Sequence, residues 1–240
     1  GEKAVQDRSY DVFLDVVKRY DVDGIHIDDY FYPYPEKTAD GKPLDFPDDP
    51  SFSAYRNSGG KLSRSDWRRK NVDDFIYRVY NGIKDEKPWV KFGISPFGIY
   101  RPGIPEGIKA GIDQYEELYA DARKWLVEGW CDYFTPQLYW PIAQTPQSYP
   151  VLLKYWVEQN PKKRHIWPGN FTSQLGVSTN PLWTAQEVVD QIAATRSRAG
   201  ATGNVHFSFK AFMLDYKKIA GKLKSGPYAK KALIPSSPWL

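Results

Sequence analysis

The segment Tyr20-Asp-Val-Asp-Gly-Ile-His-Ile-Asp-Asp-Tyr-Phe-Tyr-Pro33 decides the fold. Its alternating apolar residues predict a β-strand over Val22–Asp28, and two adjacent carboxylates follow directly. A period of two gives this strand an apolar face and a polar face, with Ile25 and Ile27 on the first and His26, Asp28 and Tyr30 on the second. In a barrel of parallel strands, the isoleucines would pack against helices and the polar face would look inward.

The paired carboxylates have two interpretations. An Asp that follows a strand commonly caps the next turn, and this is the simpler explanation for Asp28 or Asp29 alone. Here the pair is followed closely by four aromatic rings, those of Tyr30, Phe31, Tyr32 and Tyr34. Because flat rings suit the faces of sugars as well as protein cores, we predict a functional site at this strand end.

Helical and strand patterns alternate along the rest of the chain. A helix over Val5–Tyr20 precedes the first strand, and a long Pro-, Gly- and Asp-rich loop over 33–65 follows it on the same side as the predicted site. Further strands are expected at Val90–Pro96, Cys131–Tyr139, Arg164–Pro168 and Asn204–Phe209. Helices are expected at Asp66–Ile83, Tyr115–Glu128, Tyr149–Glu158, Thr184–Arg198 and just before Pro227.

Strands that alternate with helices predict an α/β fold with a parallel sheet. A (β/α)8 TIM-type barrel has eight strands and typically about 250 residues, whereas five strands are expected here. We therefore predict one domain over 1–240 that holds about five βα units, strands four to eight of a barrel truncated at its N-terminus. A doubly wound open sheet is the alternative, but Gly93, Gly98 and Gly103 are too loosely spaced for a nucleotide-binding turn.

Composition excludes several functional classes. The net charge of +4 is spread among many acidic residues, so nucleic acid is a weak candidate partner. Three histidines on separate strands make a weak case for a metal, and no cofactor is expected. Cys131 has no other cysteine to pair with. No apolar run is long enough to cross a membrane, and the first residues do not resemble a secretion signal.

Five motifs carry a resemblance to a known family: Asp23–Pro33, Asp66-Trp-Arg-Arg69, Lys91–Gly98, Tyr119–Trp125 and Asp132–Trp140. Together they resemble the bacterial glycosyl hydrolase-like family ten, in the right order and over nearly the whole chain. The resemblance implies a (β/α)8 barrel in an exported or lipid-anchored protein that acts on the glycan strands of peptidoglycan. It therefore implies a polysaccharide substrate, a location outside the cytoplasm, and membrane contact only through an anchor outside this chain.

In a parallel barrel the active site lies at the C-terminal ends of the strands. Each strand end here carries groups that can contact a sugar. The candidate substrate-binding residues are His26, Tyr30, Tyr32, Ser95, Tyr100, Arg101, Gln137, Tyr139, Trp140, Asn170 and Lys210. This set is rich in hydroxyls, amides and rings and poor in cations, which favours a neutral polyol over a phosphate.

Hydrolysis of a glycosidic bond usually takes two carboxyl groups, and only the first strand end supplies an obvious pair. The alternation of side chains along the first strand makes Asp28 face inward, so it is the candidate nucleophile or electrostatic stabiliser. Asp29 is the candidate acid, because a neighbouring carboxylate raises a pKa. The alternative for Asp29 is a turn cap, or an ion pair with an arginine such as Arg68 or Arg101.

A second similarity bears on mechanism. Asp23-Gly-x-x-x-Asp28 and Asp132–Tyr139 are similar to motifs of the chitinase superfamily, in which the acetamido group of the substrate itself attacks. This scheme needs one acid, a carboxylate that orients the amide, and a tyrosine, for which Tyr139 is the candidate. Tyr30 occupies the acid position of the first motif, so Asp28 or Asp29 would have to take that role.

Two other functions remain open from the sequence. A non-catalytic glycan-binding module would keep the aromatic cleft and lack the acid, which Tyr30 at the acid position allows. A scaffold domain would have no ligand at all. The segment over 227–240 resembles an exit linker towards a further C-terminal domain.

Overall fold

The computed structural model describes residues 1–240 and shows an α/β arrangement. The strands are β1 (Gly24–Ile27), β2 (Glu36–Lys37), β3 (Pro43–Leu44), β4 (Lys91–Ile94), β5 (Tyr133–Phe134), β6 (His165–Ile166), β7 (Gly169–Asn170) and β8 (Val205–His206). The helices are α1 (Lys3–Arg19), α2 (Asp49–Asn57), α3 (Arg64–Glu86), α4 (Gln114–Glu117), α5 (Ala122–Glu128), α6 (Tyr149–Glu158), α7 (Gln174–Val177), α8 (Ala185–Ser197), α9 (Lys210–Met213) and α10 (Ile219–Ser225). None of them is both long and apolar enough to span a membrane.

The main sheet is parallel, with the order β1-β4-β5-β6, so neighbours in space follow each other along the chain. The pair β7 and β8 is also parallel, and single bridges from Gln137 to Gly169 and from Ile166 to Ala201 join it to the main sheet. The strands β1 and β8 form the two edges. This order, with a helix after nearly every strand, is consistent with the predicted TIM-type fold, while closure of a barrel and its truncation stay predictions.

A row of three prolines makes the regular strands shorter than predicted. Pro96, Pro136 and Pro168 each come two residues after the last residue of β4, β5 and β6. Proline has no backbone N–H, so it cannot donate a hydrogen bond to a neighbouring strand. Each proline carbonyl still accepts a bond from the next strand region, from the backbone N–H groups of Gln137, Gly169 and Val205 respectively. The sheet thus continues past the prolines with a weakened ladder.

The predicted helix over Tyr115–Glu128 is two helices, α4 and α5. Tyr119 between them has a positive φ of 53°, which ends the first helix. Asp121 then caps the second by accepting a hydrogen bond from the backbone N–H of Lys124. Gly129 ends it with a left-handed conformation, as expected for a glycine after a helix.

The hydrophobic core lies between the sheet and the helices that cover its outer face. The largest fully buried side chains include Trp125 on α5, Trp156 on α6 and Phe92 on β4. Trp125 donates its indole N–H to Asp73 of α3 at 2.6 Å, and Trp156 donates to the carbonyl of Gly98 at 2.7 Å. Each buried indole therefore has the polar partner that a buried ring nitrogen requires.

The segment over 33–65 has more structure than the predicted loop. It contains the β2–β3 hairpin and the helix α2, which packs Phe52 and Tyr55 onto Trp67 of α3 at ring distances of 5.3 and 5.9 Å. The helix α3 begins at Arg64, two residues before the predicted start, and its cap is Ser63. The Ser63 hydroxyl accepts the N–H of Asp66, in the manner of a capping box.

The end of the predicted exit linker folds back against the N-terminal ends of the strands. The Trp239 indole donates to Asp132 Oδ1 at 2.9 Å, and Ser237 lies 2.9 Å from His165 Nε2. Leu233 and Ile234 just before them are almost fully exposed. The structure thus describes a short docked tail, while a linker role for 227–240 stays a prediction.

Candidate functional site

Asp28 lies where β1 ends, at the C-terminal edge of the parallel sheet. Its Oδ1 atom accepts two hydrogen bonds, from Gln137 Nε2 at 2.8 Å and from the backbone N–H of Asp29 at 3.0 Å. Its Oδ2 atom has no hydrogen-bond partner in the protein. One oxygen of this carboxyl is therefore fixed and the other is free to meet a ligand.

Gln137 is held firmly enough to orient Asp28. Its side chain is buried, and the same Nε2 donates to the carbonyl of Ser95 at 2.9 Å. Its backbone N–H donates to Pro96. The Ser95 hydroxyl donates to the carbonyl of Thr135 at 3.0 Å, so Ser95 supports the site mainly through its backbone. Three neighbouring strand ends, β1, β4 and β5, thus meet at Asp28.

Asp29 points into the protein. It is only 6% exposed, and its Oδ2 accepts a hydrogen bond from the Tyr34 hydroxyl at 2.7 Å. The suggested ion pair with an arginine is not present. Arg68 instead binds Asp48 and Asp45, and Arg101 binds Asp113 and Glu116. The partner of Asp29 is therefore a neutral phenol.

The electrostatics of the pair differ from those of isolated carboxylates. Partial burial raises the pKa of Asp28 above its usual value, and the charge of Asp29 raises it further, while the Asp29 backbone N–H partly opposes the shift. Burial and the two nearby carboxylates also raise the pKa of Tyr139. The Tyr139 phenol is therefore protonated at neutral pH and can donate a hydrogen bond.

Tyr139 lies in a cluster of rings next to the carboxylates. Its ring is 4.6 Å from that of Phe171 and 5.8 Å from that of Phe207. Tyr30 is 74% exposed and meets Tyr34 edge to face at 5.6 Å. Aromatic surfaces therefore flank Asp28 from β1 and from the later strands.

His26 lies one step below Asp28 on the open inner face of β1, as parity predicted. It is exposed, and it stacks on Tyr133 at 5.6 Å, with Nδ1 3.1 Å from the Tyr133 hydroxyl. Tyr133 stacks in turn on Trp167 at 4.5 Å, and Gly93 leaves the space that the Tyr133 ring fills. This column of rings forms the floor below the carboxylates.

Several predicted site residues lie elsewhere. Tyr100 packs among Tyr115, Tyr155 and Trp156 in the helical layer, and its hydroxyl donates to Asp121 at 3.3 Å. Asn170 is fully buried, and its amide binds Gln191, Tyr149 and Asn204. Both side chains are therefore used in the fold, and the ion pairs of Arg101 likewise engage its guanidinium.

The remaining predicted residues are less closely tied to Asp28. Tyr32 is buried against Phe46 and Tyr119. Trp140 packs partly buried against the core, and its carbonyl accepts a bond from Gln191 at 3.2 Å. Lys210 is exposed at the first residue of α9. The structure thus gathers Asp28, Asp29, Ser95, Gln137 and Tyr139, with His26 and Tyr30 beside them.

The sequence prediction missed Tyr34 as a site residue, although it counted the ring among the flanking aromatics. Its only sequence signal is its place five residues after Asp29, between two prolines. The other histidines have structural partners. His165 binds Thr202 and Ser237, and burial lowers the pKa of His206 to about 4. No group of three or more His, Cys, Asp or Glu side chains is arranged to hold a metal ion.

Two cavities open beside the carboxylates. One, of about 440 Å3, includes Asp28 and Tyr30 and extends between α1 and α3. The other, of about 610 Å3, includes Tyr34 and lies under the β2–β3 hairpin. Both volumes fall in the range of ligand pockets, about 300–1,000 Å3.

Comparison with known proteins places the chain among related sequences. Residues 2–186 match the family described as Glycosyl hydrolase-like 10. The chain is 40% identical over 235 residues to glycosyl hydrolase YngK of Bacillus subtilis, which covers 94% of this chain and 44% of that relative. It is 38% identical over 162 residues to glycosyl hydrolase DigH of Escherichia coli, which covers 66% of this chain and 35% of that relative.

The chain thus spans less than half the length of these relatives. The family match nevertheless includes the carboxylate pair, Ser95, Gln137 and Tyr139. The family match covers well over half of the chain, and one relative aligns with nearly all of it. Both indicate the same group of proteins. This chain therefore belongs to the Glycosyl hydrolase-like 10 family.

Proposed function

We propose that this protein is a glycosidase, an O-glycosyl hydrolase that cleaves a bacterial cell-wall polysaccharide, namely the glycan strands of peptidoglycan. The observation that carries the proposal is the state of Asp28, a carboxyl with one oxygen fixed by Gln137 and the other free at the strand ends. A group that is oriented on one side and open on the other can exchange a proton with a bound substrate.

Asp28 takes the role of general acid. Its raised pKa favours the protonated form, and the two bonds to Oδ1 direct the proton to Oδ2. A protonated Oδ2 can donate to the oxygen of the leaving sugar, which is the step that an acid performs in glycoside hydrolysis. Asp29 supports this role, because its charge disfavours ionisation of Asp28.

Substrate assistance explains the absence of a second exposed carboxylate. Asp29 is buried and bound by Tyr34, so its position does not favour attack on a sugar. An acetamido group of the substrate would act as the nucleophile instead, and the protonated Tyr139 would donate a hydrogen bond to it. The N-acetylated sugars of peptidoglycan carry such a group.

The aromatic and amide groups around Asp28 support a glycan substrate. Tyr30, Tyr139 and the Tyr133 column supply flat surfaces, and Gln137 supplies an amide. An enzyme with this substrate works outside the cytoplasm, in the periplasm or at a cell surface, as a secreted or lipid-anchored protein. The relatives' names as glycosyl hydrolases favour the same class of reaction.

A glycan-binding module without catalysis is the second candidate. Tyr30, at the acid position of the chitinase-like motif, and the buried state of Asp29 favour it. The two candidates differ in one property. A module binds glycan strands and leaves them intact, whereas a glycosidase shortens them.

The test is incubation of the full-length protein with peptidoglycan glycan strands, with and without stem peptides, followed by mass spectrometry of the products. Asp28→Asn is compared with Asp23→Asn, a matched change of an exposed carboxylate at the opposite end of the same strand. Shortened strands with the parent and Asp23→Asn, but not with Asp28→Asn, are expected. Intact strands that nevertheless bind the parent would support the binding module instead.

A further inference from the structure

The segment over 33–48, here named the arm, stands beside the carboxylate pair and covers the cavity of about 610 Å3. The arm consists of the β2–β3 hairpin and the residues on either side of it. Tyr34 and Phe46 of the arm form part of the cavity wall, and Tyr119 lies in the wall contributed by the body of the protein. The cavity adjoins the one that includes Asp28, because Tyr32, Pro33 and Phe46 lie in the walls of both.

The cavity is preformed because Arg68 of α3 ties the arm to the body. Its guanidinium makes two bonds to Asp48, at 2.8 and 2.7 Å, and one to Asp45 at 2.9 Å. It also donates to the Tyr119 hydroxyl at 2.6 Å and lies 4.9 Å from the centre of that ring. Arg68 and Asp48 are both nearly fully buried, so this charge-assisted pair is shielded from water, whereas Asp45 is exposed. A fixed arm reduces the entropy cost of binding a ligand beneath it.

The charges on the cavity wall exclude one class of ligand. Four carboxylates and two cations line it: Glu36, Asp45, Glu116, Glu117, Lys37 and Arg68. Asp45 pairs with Arg68, and Glu116 pairs with Arg69 and Arg101. Two carboxylates, Glu36 and Glu117, and one cation, Lys37, thus have no ion-pair partner, which leaves a small excess of negative charge. An anionic group would meet this excess of negative charge and lose its hydration without compensation. Neutral hydroxyl and amide groups, in contrast, can donate to the carboxylates.

The aromatic part of the wall suits the apolar faces of sugar rings. Phe46 is 40% exposed and is held edge to face against Tyr32 at 5.1 Å. Tyr34 joins this wall directly to the catalytic pair, because the side chain that lines the cavity also donates its hydroxyl to Asp29. Because the cavity that includes Asp28 shares wall residues with this one, a chain of sugars that reaches Asp28 can continue under the arm.

We propose that the cavity under the arm is an additional subsite that binds an uncharged, hydroxyl-rich N-acetylglucosamine unit of the same glycan whose cleavage is proposed above. The subsite rests on that proposed function. It makes binding depend on the length of the glycan, and it disfavours glycans that carry acidic groups at this position.

The test uses the full-length protein with Asp28→Asn as the parent, so that bound glycan is not cleaved. The probes are neutral β-1,4-linked oligomers of N-acetylglucosamine from two to six units, and the same oligomers with carboxymethyl groups. Calorimetry gives the dissociation constant of each probe. Phe46→Ala removes the ring from the wall, and Phe46→Leu removes the flat face but keeps an apolar contact with Tyr32. Trp89→Ala is the control, because Trp89 is an exposed ring at the opposite end of the strands.

We expect affinity to rise with length for the neutral oligomers and not for the carboxymethyl ones. Both Phe46 variants should weaken the longest neutral oligomer by about tenfold, the size of one lost ring contact, and change the shortest by less than about twofold. Equal affinity of the Phe46 variants and the parent for the longest oligomer would overturn the subsite.

The proposed function can be judged separately. If the protein without the Asp28 change shortens glycan strands while the Phe46 variants behave as the parent, the glycosidase stands and the subsite fails. If no variant binds any neutral oligomer and glycan strands stay intact, both proposals fail.

Discussion

Asp28 and Asp132 lie at opposite ends of the parallel sheet, and the difference between them separates a carboxyl group that is open to a ligand from a structural one. Asp132 is fully buried at the N-terminal ends of the strands. Its Oδ2 accepts the backbone N–H of Phe92 at 2.7 Å and pairs with Lys84, and its Oδ1 accepts the Trp239 indole. Asp28, at the C-terminal ends, has partners on one oxygen only.

The comparison shows that burial alone does not mark a catalytic group. Asp132 is the more buried of the two, yet both of its oxygens are bound and nothing is left for a substrate. Asp28 is exposed at its free oxygen and fixed at the other. In a TIM-type barrel the C-terminal ends of the strands carry the chemistry and the N-terminal ends serve stability, and the role proposed for Asp28 agrees with that division.

The largest effect is expected at the reactive end. Asp28→Asn should lower turnover of glycan strands by about 10²–10⁴-fold, the usual contribution of a general acid. The substitution should not lower the stability of the fold at neutral pH. The pKa of Asp28 is raised in the folded protein, so the protonated form of Asp28 favours folding. This stabilisation is fully present below the pKa of the unfolded chain, and it is lost as the pH rises through the pKa of the folded protein.

Turnover and thermal unfolding of this variant, each measured at several pH values, check both statements. The unfolding midpoint of Asp28→Asn should equal or exceed that of the parent at neutral pH. A variant that keeps normal turnover would end the assignment of Asp28 as the acid.

The next effect is expected at the structural end. Asp132→Ala should lower the free energy of unfolding by about 3–5 kcal/mol, because Lys84 would be left buried without its partner. Urea denaturation measures the loss, and turnover per folded molecule should match the parent. A large loss of turnover in protein that is still folded would show that the two ends are coupled rather than separate.

A smaller effect is expected at the docked tail. Trp239→Phe keeps a ring near Arg164 and His165 and removes the indole N–H that Asp132 accepts. The loss of a hydrogen bond to a charged group should cost about 1.5–3 kcal/mol of stability. The same denaturation experiment checks it, and the effect should largely disappear in the Asp132→Ala background. Equal stability of Trp239→Phe and the parent would mean that the tail does not dock in solution.

The smallest effect concerns pH dependence. Asp29→Asn removes the charge that helps to raise the pKa of Asp28, so the Asp28 proton should be lost at lower pH. The basic limb of the kcat/KM profile should then move to lower pH, while activity at the acidic optimum changes little. An unmoved basic limb would assign that limb to a group other than Asp28.

Sequence reasoning succeeded where one strand and the geometry of parallel sheets determined the outcome. The alternation of side chains along β1 predicted that Ile25 lies in the core. The position of sites at the C-terminal ends of parallel strands predicted that Ser95 and Gln137 lie near Asp28. The same rule misplaced Asn170. Side chains alternate between the two faces of a strand, and Ile166 points outward to the helices. Asn170 is four residues further along, so it points to the same side and binds Gln191 of α8 instead of facing the cleft.

Other features depend on contacts between distant residues and could not be predicted from a local pattern. Arg68 meets Asp48 across 20 residues, and this contact determines where the arm lies. The link from Tyr34 to Asp29 depends on the path of the chain through Pro33 and Pro35. The position of the helix α2 likewise depends on Trp67, onto which Phe52 and Tyr55 pack.

The row formed by Pro96, Pro136 and Pro168 has a consequence for how this scaffold can change. Since a proline nitrogen gives no hydrogen bond, each proline removes one backbone bond toward the following strand region, while its carbonyl, which accepts an N–H from that region, keeps the sheet in register. The segments that begin at this row are therefore held to the sheet by fewer backbone bonds than the strands beneath them. We expect insertions and exchanges of these loops to be tolerated, so that new specificities can arise at the rim while the body of the sheet stays the same.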